Sequence, residues 1–157
     1  MTLEGLLTEN KDKIKDAQKI YESLKTYYSD IKNNLFKAIK KSKLTEKQTA
    51  QLYILSNDMM QDILQSLYLI IESCDNHIKN SHKPLTDVQI NSLQQIEVQL
   101  VEYLHHISEY LDQNEFGALS DLKVIKRNLF DNIESMLSRQ VEGVYHKAYG
   151  FKNTDLM

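Results

Sequence analysis

Two carboxylates one helical turn apart, Asp58 and Asp62, are the residues of this chain whose type and spacing most readily suggest chemistry. A separation of four places both on one face of an α-helix, where two like charges repel by about 0.2–0.5 kcal/mol. A cation bridging them relieves the repulsion, because carboxylate oxygens suit hard and borderline ions. Two carboxylates do not fill a coordination shell, so another helix must contribute. Glu97 is the candidate, since it interrupts an otherwise apolar helical stripe. A carboxylate on such a stripe is paired, metal-bound or protonated, or it reaches water where the helices splay. Asp58, Asp62 and Glu97 therefore form a candidate site for a divalent or ferric ion. The alternative for the acidic pair is a solvated rim, or pairing with lysines of the preceding helix.

Other chemistries find less to work with. The histidines are His77, His82, His105, His106 and His146, and none stands four residues from another. No Cys-x-x-Cys pair exists, so a zinc centre has no ligand motif. On a regular helix His105 and His106 diverge by about 100°, which predicts that they do not serve one site. His77 and His82 fall in a polar hinge, where exposed side chains are expected. There is no glycine-rich phosphate loop and no Ser–His–Asp arrangement. The chain reads as a non-enzyme, with no catalytic residues and no direct small-molecule substrate. A carboxylate-bridged metalloenzyme of the four-helix type needs two Glu-x-x-His motifs, and the sequence has none.

The elements that position these residues are long helices. One is predicted over 8–42, capped by Thr8 or Asn10, with an apolar stripe at Ile14, Ala17, Tyr21, Leu24, Tyr28, Ile31, Leu35 and Ala38. The seven residues before it read as a short lead-in or a frayed start. A second is predicted over 45–78, opened by a Thr45–Gln48 capping box. Its stripe runs Tyr53, Met60, Ile63, Leu67, Ile70 and Cys74, widened by Leu52, Leu55, Met59, Leu64 and Ile71. A helix apolar on so many faces is expected at the centre of a bundle. After the hinge, Thr86 and Gln89 form another box, and Ile90, Leu93, Leu100, Leu104, Ile107 and Leu111 make the third stripe, ending near Asn114. The fourth helix runs to about Tyr149 on Leu122, Ile125, Leu129, Ile133, Met136, Leu137, Val141 and Val144, with Gly150 at its C-cap. Asn153-Thr-Asp155 reads as the N-cap of a further helix. The prediction is an all-α antiparallel bundle, about four long helices plus the start of a fifth, as one domain spanning 1–157.

Composition agrees. Four Gly and one Pro in 157 residues are too few for a β-rich fold. The net charge of −3 gives no strong nucleic-acid affinity. It is unevenly spread: residues 1–50 hold eleven Lys against seven acidic residues. Lys37, Lys40, Lys41, Lys43 and Lys47 concentrate that charge at the first helix–helix turn. Such a cluster is either a solvated turn, with Lys favoured at a helix C-terminus, or a patch facing a membrane surface or partner. A single cysteine, Cys74, forms no internal disulfide and suits a reducing compartment as a buried thiol. The opening Met1-Thr-Leu-Glu-Gly-Leu-Leu does not read as a signal peptide, and no apolar run reaches the ~20 residues a spanning helix needs.

The run from Asp58-Met-Met-Gln-Asp62 to His77-Ile-Lys-Asn-Ser-His-Lys-Pro-Leu-Thr-Asp87 resembles the PhoU-like cytoplasmic domain of inorganic phosphate transporters of the Bacteroidetes type. The ending Lys152-Asn-Thr-Asp-Leu-Met157 resembles the stretch that leads into the last helix of those domains. The likeness covers residues 45–157 and is loose over the first helix. It implies a non-enzymatic regulatory or accessory domain in phosphate transport, on the cytoplasmic face of the inner membrane beside a phosphate permease. Asp58 and Asp62 match one of the acidic x-x-x-acidic motifs through which PhoU proteins hold metal clusters. Met59, Met60 and Gln61 stand where that motif carries Arg and Gly. A helical interaction or oligomerisation module with no transport role, possible as a homodimer, is the other reading of the same helices.

Overall fold

The computed structural model describes residues 1–41, 47–80, 82–113, 117, 119–146 and 148. It is all-α, as predicted: α1 Thr2–Leu7, α2 Lys11–Lys41, α3 Lys47–Lys79, α4 Asp87–Gln113 and α5 Leu119–Tyr145, with no strand among the described residues. The four long helices fall close to their expected limits. The Thr45–Gln48 capping box, Gly150 and the 153–155 cap involve positions outside the described residues. The chain forms two compact units, Met1–Ile78 and Lys79–Met157.

In the first unit the lead-in is a true helix, α1, and its last residues show how it stops. The Asn10 N–H donates to the Gly5 carbonyl at 2.8 Å and the Glu9 N–H to the Leu6 carbonyl at 3.1 Å. This is the Schellman pattern, in which the residue after the cap takes a left-handed conformation. That residue is Glu9, at φ 49°. Thr8 closes α1 by donating its hydroxyl to the Glu4 carbonyl at 2.7 Å. Asn10 then caps α2, its Oδ1 accepting from the N–H groups of Asp12 (3.0 Å) and Lys13 (3.2 Å). Of the two caps the sequence offered, Asn10 opens the long helix, and Thr8 ends the short one.

α1 folds back on α2 through a close approach at Gly5. A methyl group at Gly5 would lie 2.8 Å from Ile14 Cδ1 and 3.1 Å from Lys13 Cβ. Leu6 and Ile14 are buried. An ion pair from Lys13 to Glu4 holds the Glu4 carboxyl below its ordinary range through hydrogen bonding and charge attraction.

α2 and α3 run antiparallel, and three contacts fix their register. The Tyr28 hydroxyl lies 3.0 Å from both the carbonyl oxygen and the side-chain Oδ1 of Asn57. The rings of Tyr21 and Tyr68 stand 5.7 Å apart. The Gln18 amide donates to Asp75 at 3.3 Å. The α2 seam uses Ile14, Ala17, Tyr21, Tyr28 and Leu35, whereas Leu24, Ile31 and Ala38 are exposed. On α3 the buried line is Asn57, Ile71 and Cys74, with Leu64 half-buried. The expected stripe at Tyr53, Met60, Ile63, Leu67 and Ile70 is exposed. The reason is geometric: α3 is apolar around most of its circumference, so periodicity marks two adjacent stripes and α2 covers one.

The second unit is the antiparallel pair α4–α5. Its capping box is as expected: Gln89 Oε1 accepts from the Thr86 N–H (3.1 Å) and hydroxyl (3.2 Å), and the Gln89 N–H reaches back to Thr86 Oγ1 at 3.4 Å. The same side chain also crosses to α5, where its Nε2 donates to Gln140 Oε1 at 3.1 Å. Both glutamines are almost completely buried. Ten residues further along α4, Gln99 Oε1 accepts from Asn132 Nδ2 at 3.0 Å. Leu122, Leu129 and Met136 supply the buried apolar line of α5 at seven-residue spacing. Ile90, Leu93 and Ile107 of the expected α4 stripe are half-buried, while Leu100, Leu104 and Leu111 are exposed and Gln89 and Ser92 are buried in their stead.

Three substitutions test these contacts through stability. Glu9→Gly is expected to raise the unfolding free energy by about 0.5–1 kcal/mol, because glycine takes a positive φ without steric cost. Gly5→Ala is expected to lower it by pushing α1 off Ile14; urea titration of both variants reads the opposite signs. Gln140→Ala leaves a buried Gln89 amide without its acceptor, and a loss of about 1–3 kcal/mol is expected. An unchanged midpoint would show that water satisfies Gln89 at that position.

Candidate functional site

Asp58 and Asp62 lie on one face of α3, and both are exposed. The Asn57 amide approaches Asp58 Oδ1 at 3.5 Å, and Asp62 contributes its backbone carbonyl to the Ser66 hydroxyl at 2.9 Å. Stepping about 100° per residue around α3, the two carboxylates share a side with Gln61, Gln65 and Glu72. Glu97 sits on α4 and is exposed, with Leu93, Leu100 and Val101 as its neighbours on the helix. The apolar setting read for Glu97 is present, but the carboxylate reaches water. Among the described residues no group of three or more His, Cys, Asp or Glu converges on a point where a metal ion could be held.

Of the basic cluster, Lys37 and Lys40 are exposed near the end of α2. Lys41 and Lys47 end α2 and begin α3, and Lys43 lies outside the described residues.

Two expectations for histidine are corrected. His77 lies within α3, which runs to Lys79, and is buried at 5% exposure. His105 and His106 do serve one group: His105 Nε2 and His106 Nδ1 lie 3.4 and 3.5 Å from the two oxygens of Glu109. The rings diverge, but a carboxylate four residues from one and three from the other spans the gap. The His106 ring also stacks on Tyr110 at 6.1 Å. Cys74 is buried, and burial pushes its thiol up to about 11. It is therefore a neutral thiol near pH 7, as its place on the apolar stripe suggested.

An extended part of α3 that faces water is apolar. From 52 to 70, α3 exposes Leu52, Leu55, Met59, Met60, Ile63, Leu67 and Ile70. Leu52 and Ile63 are 64% and 52% exposed. These residues form a second stripe, about a third of a turn from the seam with α2. On α2, Ile20, Leu24, Tyr27 and Ile31 are exposed and offset from that helix's seam in the same rotational sense. In an antiparallel pair, equal offsets of this kind fall on one side of the two-helix layer. The α2–α3 hairpin thus has an apolar side and a polar side. Lys15, Glu22, Lys25, Asp58 and Glu72 stand on the opposite side, which also exposes Phe36, Ile54 and Leu69, with Asp62 at its outer edge. From Gln48 to Ile71, α3 carries no charged residue except Asp58 and Asp62; Asp58 lies off the apolar stripe, and Asp62 lies at its outer edge, seven residues from Leu55.

No protein family, characterised protein or solved structure matches the chain. No helix among the described residues is long and apolar enough to cross a membrane.

The exposed position of the acidic pair has a measurable consequence. Asp58→Asn/Asp62→Asn is expected to leave the unfolding free energy within about 0.5 kcal/mol of the parent, as for other exposed surface changes, with a slight gain from removing the like-charge repulsion. Elemental mass spectrometry of parent and variant is expected to give the same metal content. Stoichiometric metal lost only in the variant would instead make the pair a working ligand set.

Proposed function

We propose that this chain is a non-enzymatic helical interaction module whose working surface is the apolar side of the α2–α3 hairpin. One observation carries the reading. A helix apolar around most of its circumference is ordinarily enclosed, yet α3 from Leu52 to Ile70 has α2 on one stripe and water on the next. Contiguous exposed apolar surface of this extent, rimmed by polar residues, marks a site where another macromolecule docks. The acidic pair then has a structural role as part of the solvated side, with no metal required.

A narrower reading keeps the phosphate-transport context. The sequence from Asp58 to Asp87 resembles the PhoU-like cytoplasmic domain, and a domain of that kind would rest the same apolar side on a phosphate permease at the inner membrane. Its Lys37–Lys47 end would lie near anionic lipid. It would bias transport only by contacting two permease conformations unequally.

Both readings make the apolar side the point of attachment. A tagged chain purified from its own cells is expected to retain a partner, another copy or a different protein, that Ile63→Lys releases and Gln65→Lys does not. The two substitutions add the same charge two residues apart, one to each side of the hairpin. Equal retention by both would overturn the interaction reading. Recovery of a permease would select the transport form of it.

A further inference from the structure

We infer that the occupant of the apolar side of the α2–α3 hairpin is the same side of a second copy of this chain, placed around a two-fold axis. The inference rests on the interaction reading above and adds the identity of the partner.

Three observations point to it. The first is extent. The stripe from Leu52 to Ile70 is about 27 Å long at 1.5 Å per residue, and the layer is two helices, about 20 Å, wide. Corrugated by half-exposed Leu, Ile, Met and Tyr side chains, a surface of that size is of the order of the ~800 Å² each partner contributes to a standard interface.

The second is charge. Burying an unpaired charge in an interface is costly. Two such faces brought together bury no charge from the middle of the α3 stripe, where Ser56 and Ser66 are the polar interruptions among Leu, Ile and Met; Asp58 lies off the stripe, and Asp62 lies at its outer edge beside Leu55. The carboxylates of both copies stay in water, well away from the axis, so the pairing creates no like-charge contact.

The third is shape. An antiparallel hairpin is a flat two-helix layer. Two identical layers related by a two-fold axis close on themselves, the commonest symmetry of soluble oligomers. The result is four helices around a shared apolar centre, the arrangement in which helical hairpins bury their second stripes. Tyr27 and Ile31 of α2 then flank the α3 stripe of the other copy.

The test is the mass of the purified full chain by sedimentation equilibrium over a wide concentration range. A mass twice the 18.4 kDa of one chain is expected. Ile63→Lys is expected to weaken the dimer at least 100-fold, as does Met59→Lys, with helical circular dichroism retained. Gln65→Lys is expected to leave it intact. A monomer at every concentration overturns the inference. A dimer indifferent to both Ile63→Lys and Met59→Lys overturns it also, because a different surface then joins the copies. A monomeric chain that still captures another protein through Ile63 refutes the self-pairing alone and leaves the interaction reading standing.

Discussion

Two helices laid side by side can enclose only one stripe of each, and the rest of this structure answers to that limit. In the α2–α3 hairpin the enclosed stripe is short on large apolar side chains. Tyr28 and Asn57, Tyr21 and Tyr68, and Gln18 and Asp75 stand along it where a thicker core would place leucine. Directional contacts of this kind set register more firmly than a smooth apolar seam does, since a slip of one residue loses a hydrogen bond as well as area. The α4–α5 pair uses the same device, with Gln89–Gln140 and Gln99–Asn132 along its seam. Polar pins hold each pair in register, and the apolar surplus is left on the outside.

That surplus decides what the molecule can do. The residue types that first suggest chemistry, the Asp58–Asp62 pair and Glu97, are in water. Of the buried polar side chains, Gln89 donates to Gln140, and Asn57 lies within hydrogen-bond distance of the Tyr28 hydroxyl. On the interaction reading proposed above, recognition rests on apolar area, and the selectivity of such a surface comes from where charge is missing. On α3 the absence of any Lys, Arg, Asp or Glu from one stripe over nineteen residues, Leu52 to Ile70, is the sequence's plainest functional statement.

Much of this was legible in the residues. Helix limits followed from caps with a local mechanism: Asn10 ahead of Asp12 and Lys13, and Thr86 three residues before Gln89. Cys74 is buried as expected of a thiol on an apolar stripe, although the rest of that stripe, Tyr53 to Ile70, is exposed. What failed was the choice between neighbouring stripes. Periodicity locates apolar residues on a helix but does not say which of two adjacent lines meets the neighbour, and on α3 the line from Tyr53 to Ile70 is the outer one. Gln89 and Gln140 were missed as core residues because an amide is read as a surface group until its partner is known. The Glu109 bridge between His105 and His106 was missed because divergence of two side chains says nothing about a third that can reach both. α1 was underestimated because a glycine at position 5 looks like a helix breaker, and here it lets the helix approach Ile14.

Gln89 joins two events that are ordinarily separate. The first turn of a helix frays on its own, opening and closing without disturbing its neighbours, because its free N–H groups are satisfied locally. In this chain the acceptor that ties down the start of α4 belongs to the side chain that grips α5. Loosening the Thr86 turn therefore loosens the hold on Gln140 fifty-one residues away, and separation of α5 frees the start of α4. The amide protons of that first turn should exchange on the timescale of the whole α4–α5 pair opening, so the boundary of the second unit is as cooperative as its middle.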